Sequence, residues 1–166
     1  EDGVMVYETP SMKLLNKKKF SIPGVKDFAW SPGANVFACW VPGDESKPAR
    51  VILVDVATRK SLYSKTLFKL LGCKLMWHPQ GKFLALKVDR YKRNKKISTA
   101  SFELLRVTER DVPTEMLDMG KREVVAFQWE PHGDRFGVIH GDGQSSRFDA
   151  TFYKMGKKFT QLATLE

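Results

Sequence analysis

The sequence predicts an all-β fold assembled from repeated four-stranded sheets. Three observations carry that expectation. A motif recurs as Phe28-Ala29-Trp30-Ser31-Pro32-Gly33, Leu75-Met76-Trp77-His78-Pro79-Gln80-Gly81 and Phe127-Gln128-Trp129-Glu130-Pro131-His132-Gly133, roughly every 50 residues. Short strand-like segments, Val4–Tyr7, Ile52–Asp55, Glu103–Arg106 and Thr151–Lys154, recur at nearly the same period. Long apolar runs of helical period are absent; the one helix-like stretch, Met12 to Lys19, is short and basic on every side.

The elements follow in order. Residues 1–20 read as the end of a preceding unit, a strand at Val4–Tyr7 with a turn at Thr9-Pro10-Ser11. Three whole units then occupy 25–70, 71–120 and 121–166. Each opens with a strand that ends on its tryptophan. A turn follows in which proline fixes φ and glycine takes the backbone angle other residues avoid. The second strands are the apolar stretches Val36–Trp40, Phe83–Val88 and Arg135–Ile139. After the third strand come polar turns at Ala57–Lys60, Thr108–Asp111 and Gly156–Lys158, then a weaker fourth strand such as Ser61 to Phe68. Four short antiparallel strands in about 40–50 residues are the signature of a β-propeller blade. The expectation is therefore a WD40-like β-propeller, residues 1–166 forming an arc of about three and a half blades from a larger ring. Trp30, Pro32, Gly33, Trp77, Pro79, Gly81, Trp129, Pro131 and Gly133 are its structural repeat positions, and Trp40, outside the repeat, is expected in the core.

Composition bounds the function. The 166 residues include 28 Lys+Arg against 19 Asp+Glu, a net charge of +9, with 42% apolar and 28% charged residues, which is globular. No apolar run approaches the roughly 18–20 residues of a membrane span, so no membrane partner is expected. Two cysteines, Cys39 and Cys73, make no disulfide framework, and no Asn-x-Ser/Thr acceptor occurs; both point to a reducing, intracellular compartment. The chain opens on Glu1 with no signal-peptide pattern and is expected to be an internal piece of a longer protein.

The charge is concentrated. From Lys87 to Lys96 six cations stand against one anion: Lys87, Arg90, Lys92, Arg93, Lys95 and Lys96, with Tyr91 among them and Asp89 opposed. The stretch falls between the second and third strands of the middle blade, so it is expected to protrude as a loop. Phosphate contact with an aromatic for stacking is one reading. A solvated loop and an anionic protein partner are the others. Lys17-Lys18-Lys19, Lys121-Arg122 and Lys157-Lys158 are smaller basic clusters.

Catalytic and metal patterns are missing. His78 and His132 sit beside prolines in the repeat turns, and His140 ends a strand before a Gly-Asp-Gly turn. Pairing Ser145 or Ser146 with His140 would lack a nucleophile elbow. No Cys-x-x-Cys, paired-histidine, dinucleotide or P-loop pattern occurs, so neither an enzyme nor a cofactor nor a metal is expected.

Several segments come in a fixed order: Asp27-Phe28-Ala29-Trp30-Ser31-Pro32, Lys47-Pro48-Ala49-Arg50-Val51, Leu67-Phe68 before Cys73-Lys74-Leu75-Met76-Trp77, Leu86-Lys87-Val88-Asp89-Arg90, Phe102-Glu103-Leu104-Leu105-Arg106, and the run from Phe127 to Gly141. In that order and spacing they resemble the propeller of the b-subunit family of eukaryotic translation initiation factor three. The resemblance runs from about Asp27 to Tyr153. It implies a cytoplasmic, non-catalytic scaffold that meets the small ribosomal subunit, both rRNA and ribosomal proteins, and other subunits of factor three. It also admits messenger RNA as a partner, during recruitment and scanning. Related propellers of the monomeric two-A type, and a propeller accessory domain of a hydrolase, are the alternatives.

Overall fold

The structure, a computed structural model, describes residues 3–91 and 98–166. They divide into two units, one running to Trp30 and from Asn35 to Phe68, the other comprising Ser31–Ala34 and the chain from Lys69 onward. Both are all-β.

In the first unit β1 (Gly3–Val4) and β2 (Tyr7–Glu8) lead to β3 (Lys13–Leu14) and β4 (Phe20–Ser21). β1 pairs with β4 and β2 with β3. The helix-like stretch is a single 3₁₀ turn, Leu15–Lys17, in which Asn16 turns to positive φ. It has no apolar stripe to bury, so nothing extends it. β5 (Asp27–Trp30), β6 (Val36–Val41), β7 (Ala49–Asp55) and β8 (Ser61–Leu67) then form one antiparallel sheet in chain order. Every residue of β6 is buried, as its unbroken apolar run requires of a strand covered on both faces. Val4, Phe20 and Ile22 share one core with Phe37, Cys39, Val41 and Val54, and Phe20 meets Phe37 edge-on at 5.2 Å.

The second unit holds two such sheets. β9 (Leu70–Trp77), β10 (Phe83–Tyr91), β11 (Ser98–Arg106) and β12 (Thr114–Asp118) form one. β13 (Glu123–Trp129), β14 (Arg135–Gly141), β15 (Phe148–Lys154) and β16 (Thr160–Leu165) form the other. Their facing sides make a single core that runs from Ala85, Phe102 and Leu104 to Trp129, Phe136 and Tyr153. The three four-stranded sheets, one in the first unit and two in the second, are meanders with the connectivity of a propeller blade, as the repeat predicts.

The repeat positions fall at equivalent places. Trp30, Trp77 and Trp129 each end the first strand of a sheet, opposite Phe37, Leu84 and Phe136. Pro32 and Gly33, Pro79 and Gly81, and Pro131 and Gly133 lie in the turns that follow. Gly81 is held at φ +72°, and a Cβ there would lie 2.9 Å from the Gly33 Cα, so both angle and space demand glycine. Two turns after second strands share a further device. Asp44 Oδ1 accepts the Ser46 and Lys47 amides at 2.7 and 2.8 Å, and Asp142 Oδ1 accepts those of Gln144 and Ser145 at 2.9 and 2.8 Å.

Candidate functional site

The basic stretch is the sequence's strongest candidate, and the structure divides it. Lys87, Arg90 and Tyr91 belong to β10, whose ladder with β11 runs to the Tyr91–Ser98 pair. The expected protruding loop is therefore corrected over residues 87–91: they are strand. Carboxylates make this tolerable. Lys87 Nζ sits 2.8 Å from Asp89 on one face of the sheet. On the other, Arg90 donates to the Ser101 hydroxyl and, at 3.1 Å, to Glu103, whose side chain is only 7% exposed. Fully buried Val88 anchors the strand between them. Lys92, Arg93, Lys95 and Lys96 lie outside the described residues. Lys17, Lys18, Lys121, Arg122, Lys157 and Lys158 are exposed.

The histidines are engaged in the framework. His78 is fully buried. Its Nδ1 accepts the Gln80 amide at 3.1 Å, so the proton sits on Nε2, which donates to the Gly133 carbonyl at 2.8 Å. The ring thus ties the turn after β9 to the turn after β13. His140 is buried with Nε2 2.9 Å from Thr151 Oγ1, in line with Thr164 at 3.1 Å. Ser145 Oγ instead donates to Asp142, away from any histidine role. His132 is exposed. Burial, and then Asp27, push the Cys39 thiol up to about 12, which leaves it an inert small hydrophobe. Trp40 is buried in β6, with Lys26 Nζ 5.6 Å from its ring. Among the described residues no group of three or more His, Cys, Asp or Glu side chains could hold a metal ion, and no helix is long and apolar enough to cross a membrane.

Sequence reasoning missed two arginines. Arg106, 2% exposed, donates Nε to the Gly156 carbonyl at 2.8 Å and pairs through Nη2 with Glu115. Glu115 also accepts the Phe159 amide at 3.1 Å, so one carboxylate and one guanidinium lock the two sheets of the second unit. In the first unit Arg59 donates Nη2 to the Lys19 carbonyl at 2.6 Å and to that of Lys18 at 3.3 Å, with its guanidinium 3.9 Å over the Phe20 ring. Its partners lie about 40 residues away in sequence, beyond any local pattern.

Residues 65–166 match the family model described as eukaryotic translation initiation factor eIF2A. The chain belongs to that family. Within this setting the resemblance read from the ordered segments holds. The chain is 43% identical over 152 residues to the B subunit of eukaryotic translation initiation factor 3 from Xenopus laevis, covering 92% of this chain and 22% of the relative. It is 40% identical over 175 residues to the Arabidopsis thaliana B subunit of the same factor, covering 100% and 24%. The chain thus spans about a quarter of the length of these relatives. Among solved structures, the Kuenenia stuttgartiensis hydrazine synthase superposes with a TM-score of 0.64 over 91% of this chain and 46% of its own, at 14% identity, a likeness of fold alone.

Proposed function

We propose that this eIF2A-family chain is a non-catalytic scaffold segment of a translation initiation factor complex, cytoplasmic, and docked on the small ribosomal subunit and on other subunits of factor 3 during messenger RNA recruitment and scanning. The observation that carries the reading is the 43% identity to the factor 3 B subunit across 92% of the chain. Physical features support it. Sheets packed through an aromatic core and cross-tied by Trp129, His78 and Arg106 make a stiff platform, which lowers the entropic cost of presenting a surface. A net charge of +9 favours anionic partners and raises association rates. Lys92, Arg93, Lys95 and Lys96 are the cations of the basic stretch proposed to meet ribosomal RNA or protein, with Tyr91 at their base; Lys87 and Arg90, already paired to carboxylates, contribute less.

The test replaces Lys92, Arg93, Lys95 and Lys96 with Ser in the full-length protein and measures affinity for the small ribosomal subunit across a salt series. Each lost single-strand phosphate contact lowers the salt slope by about 0.7, so four lower it by about 3. An unchanged affinity and slope removes these residues from the interface. The name of the matched family model favours a second reading, a factor that works without factor 3 partners. Co-purification with several factor 3 subunits decides for the scaffold; their absence decides for the alternative.

A further inference from the structure

Arg59 and Arg106 perform the same task in their respective units. Each sends guanidinium N–H groups to main-chain carbonyls of a segment packed beside its sheet. They differ in what balances the charge. Glu115 neutralises Arg106, whereas no carboxylate pairs with Arg59 among the described residues. The acid nearest in sequence, Asp55, is committed to its own turn, accepting the Thr58 amide at 2.6 Å and the Thr58 hydroxyl at 2.7 Å. Arg59 Nη1 is shut off from solvent with no hydrogen-bond partner, and its backbone is held at φ +59°. A half-buried guanidinium that meets only carbonyl dipoles and an aromatic face still lacks a counter-charge.

Beside it opens a cavity of about 270 Å³. Phe20 and Ile52 line its apolar part. Arg50, Ser21 and Ser61 also line it, the Ser61 hydroxyl donating to the Tyr63 carbonyl at 3.3 Å. Arg50 is exposed and has no ion-pair partner among the described residues. Two guanidiniums with no acid suit a tetrahedral oxyanion: Arg50 can offer its fork of two parallel N–H bonds, and Arg59, whose Nη2 is given to the Lys18 and Lys19 carbonyls, can offer Nη1.

We propose that this pocket binds a phosphate group, supplied by the backbone of an RNA strand, with Arg59 as the fixed donor and Arg50 as the one that closes on it. The site shares no residue with the Lys92–Lys96 stretch and does not depend on the ribosomal reading, since its probe is a free oligonucleotide. The experiment titrates a fluorescently labelled oligouridylate with the full chain over a salt series, for the wild type and for Arg50→Gln, Arg50→Lys and Arg59→Lys. Arg50→Gln breaks no side-chain hydrogen bond or ion pair among the described residues, so its melting temperature should match the wild type and its binding can be read directly. It should bind on the order of tenfold more weakly with a salt slope reduced by about 0.7. The two lysine variants keep the charge but lose the fork, and should remain weaker than the wild type. A chain with all four cations between Lys92 and Lys96 replaced, run alongside, should retain the effect of Arg50→Gln. A parallel melt in inorganic phosphate separates the sources. A rise in melting temperature that Arg50→Gln abolishes, with RNA affinity unchanged by that variant, keeps the phosphate site but assigns it to the free anion. If neither RNA affinity nor the phosphate-induced shift changes in Arg50→Gln, or if the lysine variants bind like the wild type, the pocket is not a phosphate site.

Discussion

Among the described residues Arg106 heads the largest fully buried side chains. A guanidinium so placed is held by Glu115 and the Gly156 carbonyl, with Glu109 3.9 Å from Nε; without Arg106, Glu115 loses its guanidinium and retains the Phe159 amide. Arg106→Ala should therefore destabilise the protein by about 3 kcal/mol, the cost of breaking a buried pair, read from the urea midpoint at constant slope. A loss under about 1 kcal/mol would mean that water reaching the partly exposed Glu115 makes good the lost guanidinium. His140 gives a pH signature. Burial first and the Arg122 charge second lower its pKa from the ordinary 6.5, while Asp149 pulls weakly the other way. A histidine depressed on folding takes up its proton more readily when unfolded. Its stabilising contribution is thus complete above pH 6.5 and falls away as the pH drops from 6.5 towards the lower folded value. Melting temperature should decline over that interval in the wild type and stay flatter in His140→Gln. The turn carboxylates do not confuse this window. Asp44, Asp55 and Asp142 are held below their ordinary 3.8 by turn hydrogen bonds, so their losses begin only in stronger acid.

β13 shows how a strand seats on its neighbour sheet. Trp129 stacks on Phe83 at 5.7 Å, takes the His78 ring edge-on at 5.4 Å, and donates its indole N–H to the Met76 carbonyl at 3.0 Å. Trp129→Phe keeps a ring in the stack but orphans that carbonyl and leaves a gap, and should cost about 2 kcal/mol; Trp129→Ala should cost about 4 kcal/mol. A negligible loss in Trp129→Phe, by chemical denaturation, would show that the indole bond contributes nothing. Much of this was legible in the chain. The Trp-x-Pro turns mark where first strands end, and the apolar runs mark the second strands, because proline and glycine constrain the backbone locally. Burial of the three tryptophans was not. Trp129 is buried, whereas Trp30 is 42% exposed and tilts on Phe37, since burial depends on what packs against the strand and not on the strand's own motif. Over residues 87–91 the basic stretch is strand and not loop for a similar reason. Glu103 reaches Arg90 only through the β10–β11 register, in which Arg90 lies across from Thr99 and Glu103 across from Leu86. A charge count along the chain cannot see a counter-charge that comes from across the ladder.

At the scale of the molecule the two faces of the last sheet are unequal. One joins the core shared with β9–β12. The other exposes Ile139, Phe152 and Leu162, and with Ala126, Gly137 and Ala150 it forms an apolar groove of about 610 Å³. Register gives this face its meaning. Gly137 lies across from Phe152 as Ala85 lies across from Leu104, and the Ala85–Leu104 face is the one covered by Trp129 and Phe127. The groove is therefore the counterpart of a seat already filled once in this chain, and relatives about four times as long have the residues to fill it again. The occupant it suits is a further four-stranded sheet of the same kind, with an aromatic at the Trp129 position. Such an exposed patch is adhesive in isolation. The 166-residue chain should bind a hydrophobic dye and associate at high concentration. Ile139→Lys with Phe152→Lys should abolish both while leaving its melting temperature within about two degrees, since surface changes away from packed features cost within about 0.5 kcal/mol. With a further sheet seated on the groove the same pair of substitutions should lower stability by several kcal/mol, because each lysine would then be a buried, unpaired charge. If instead the short chain itself unfolds with the double substitution, the face is already packed in it and no further sheet is called for.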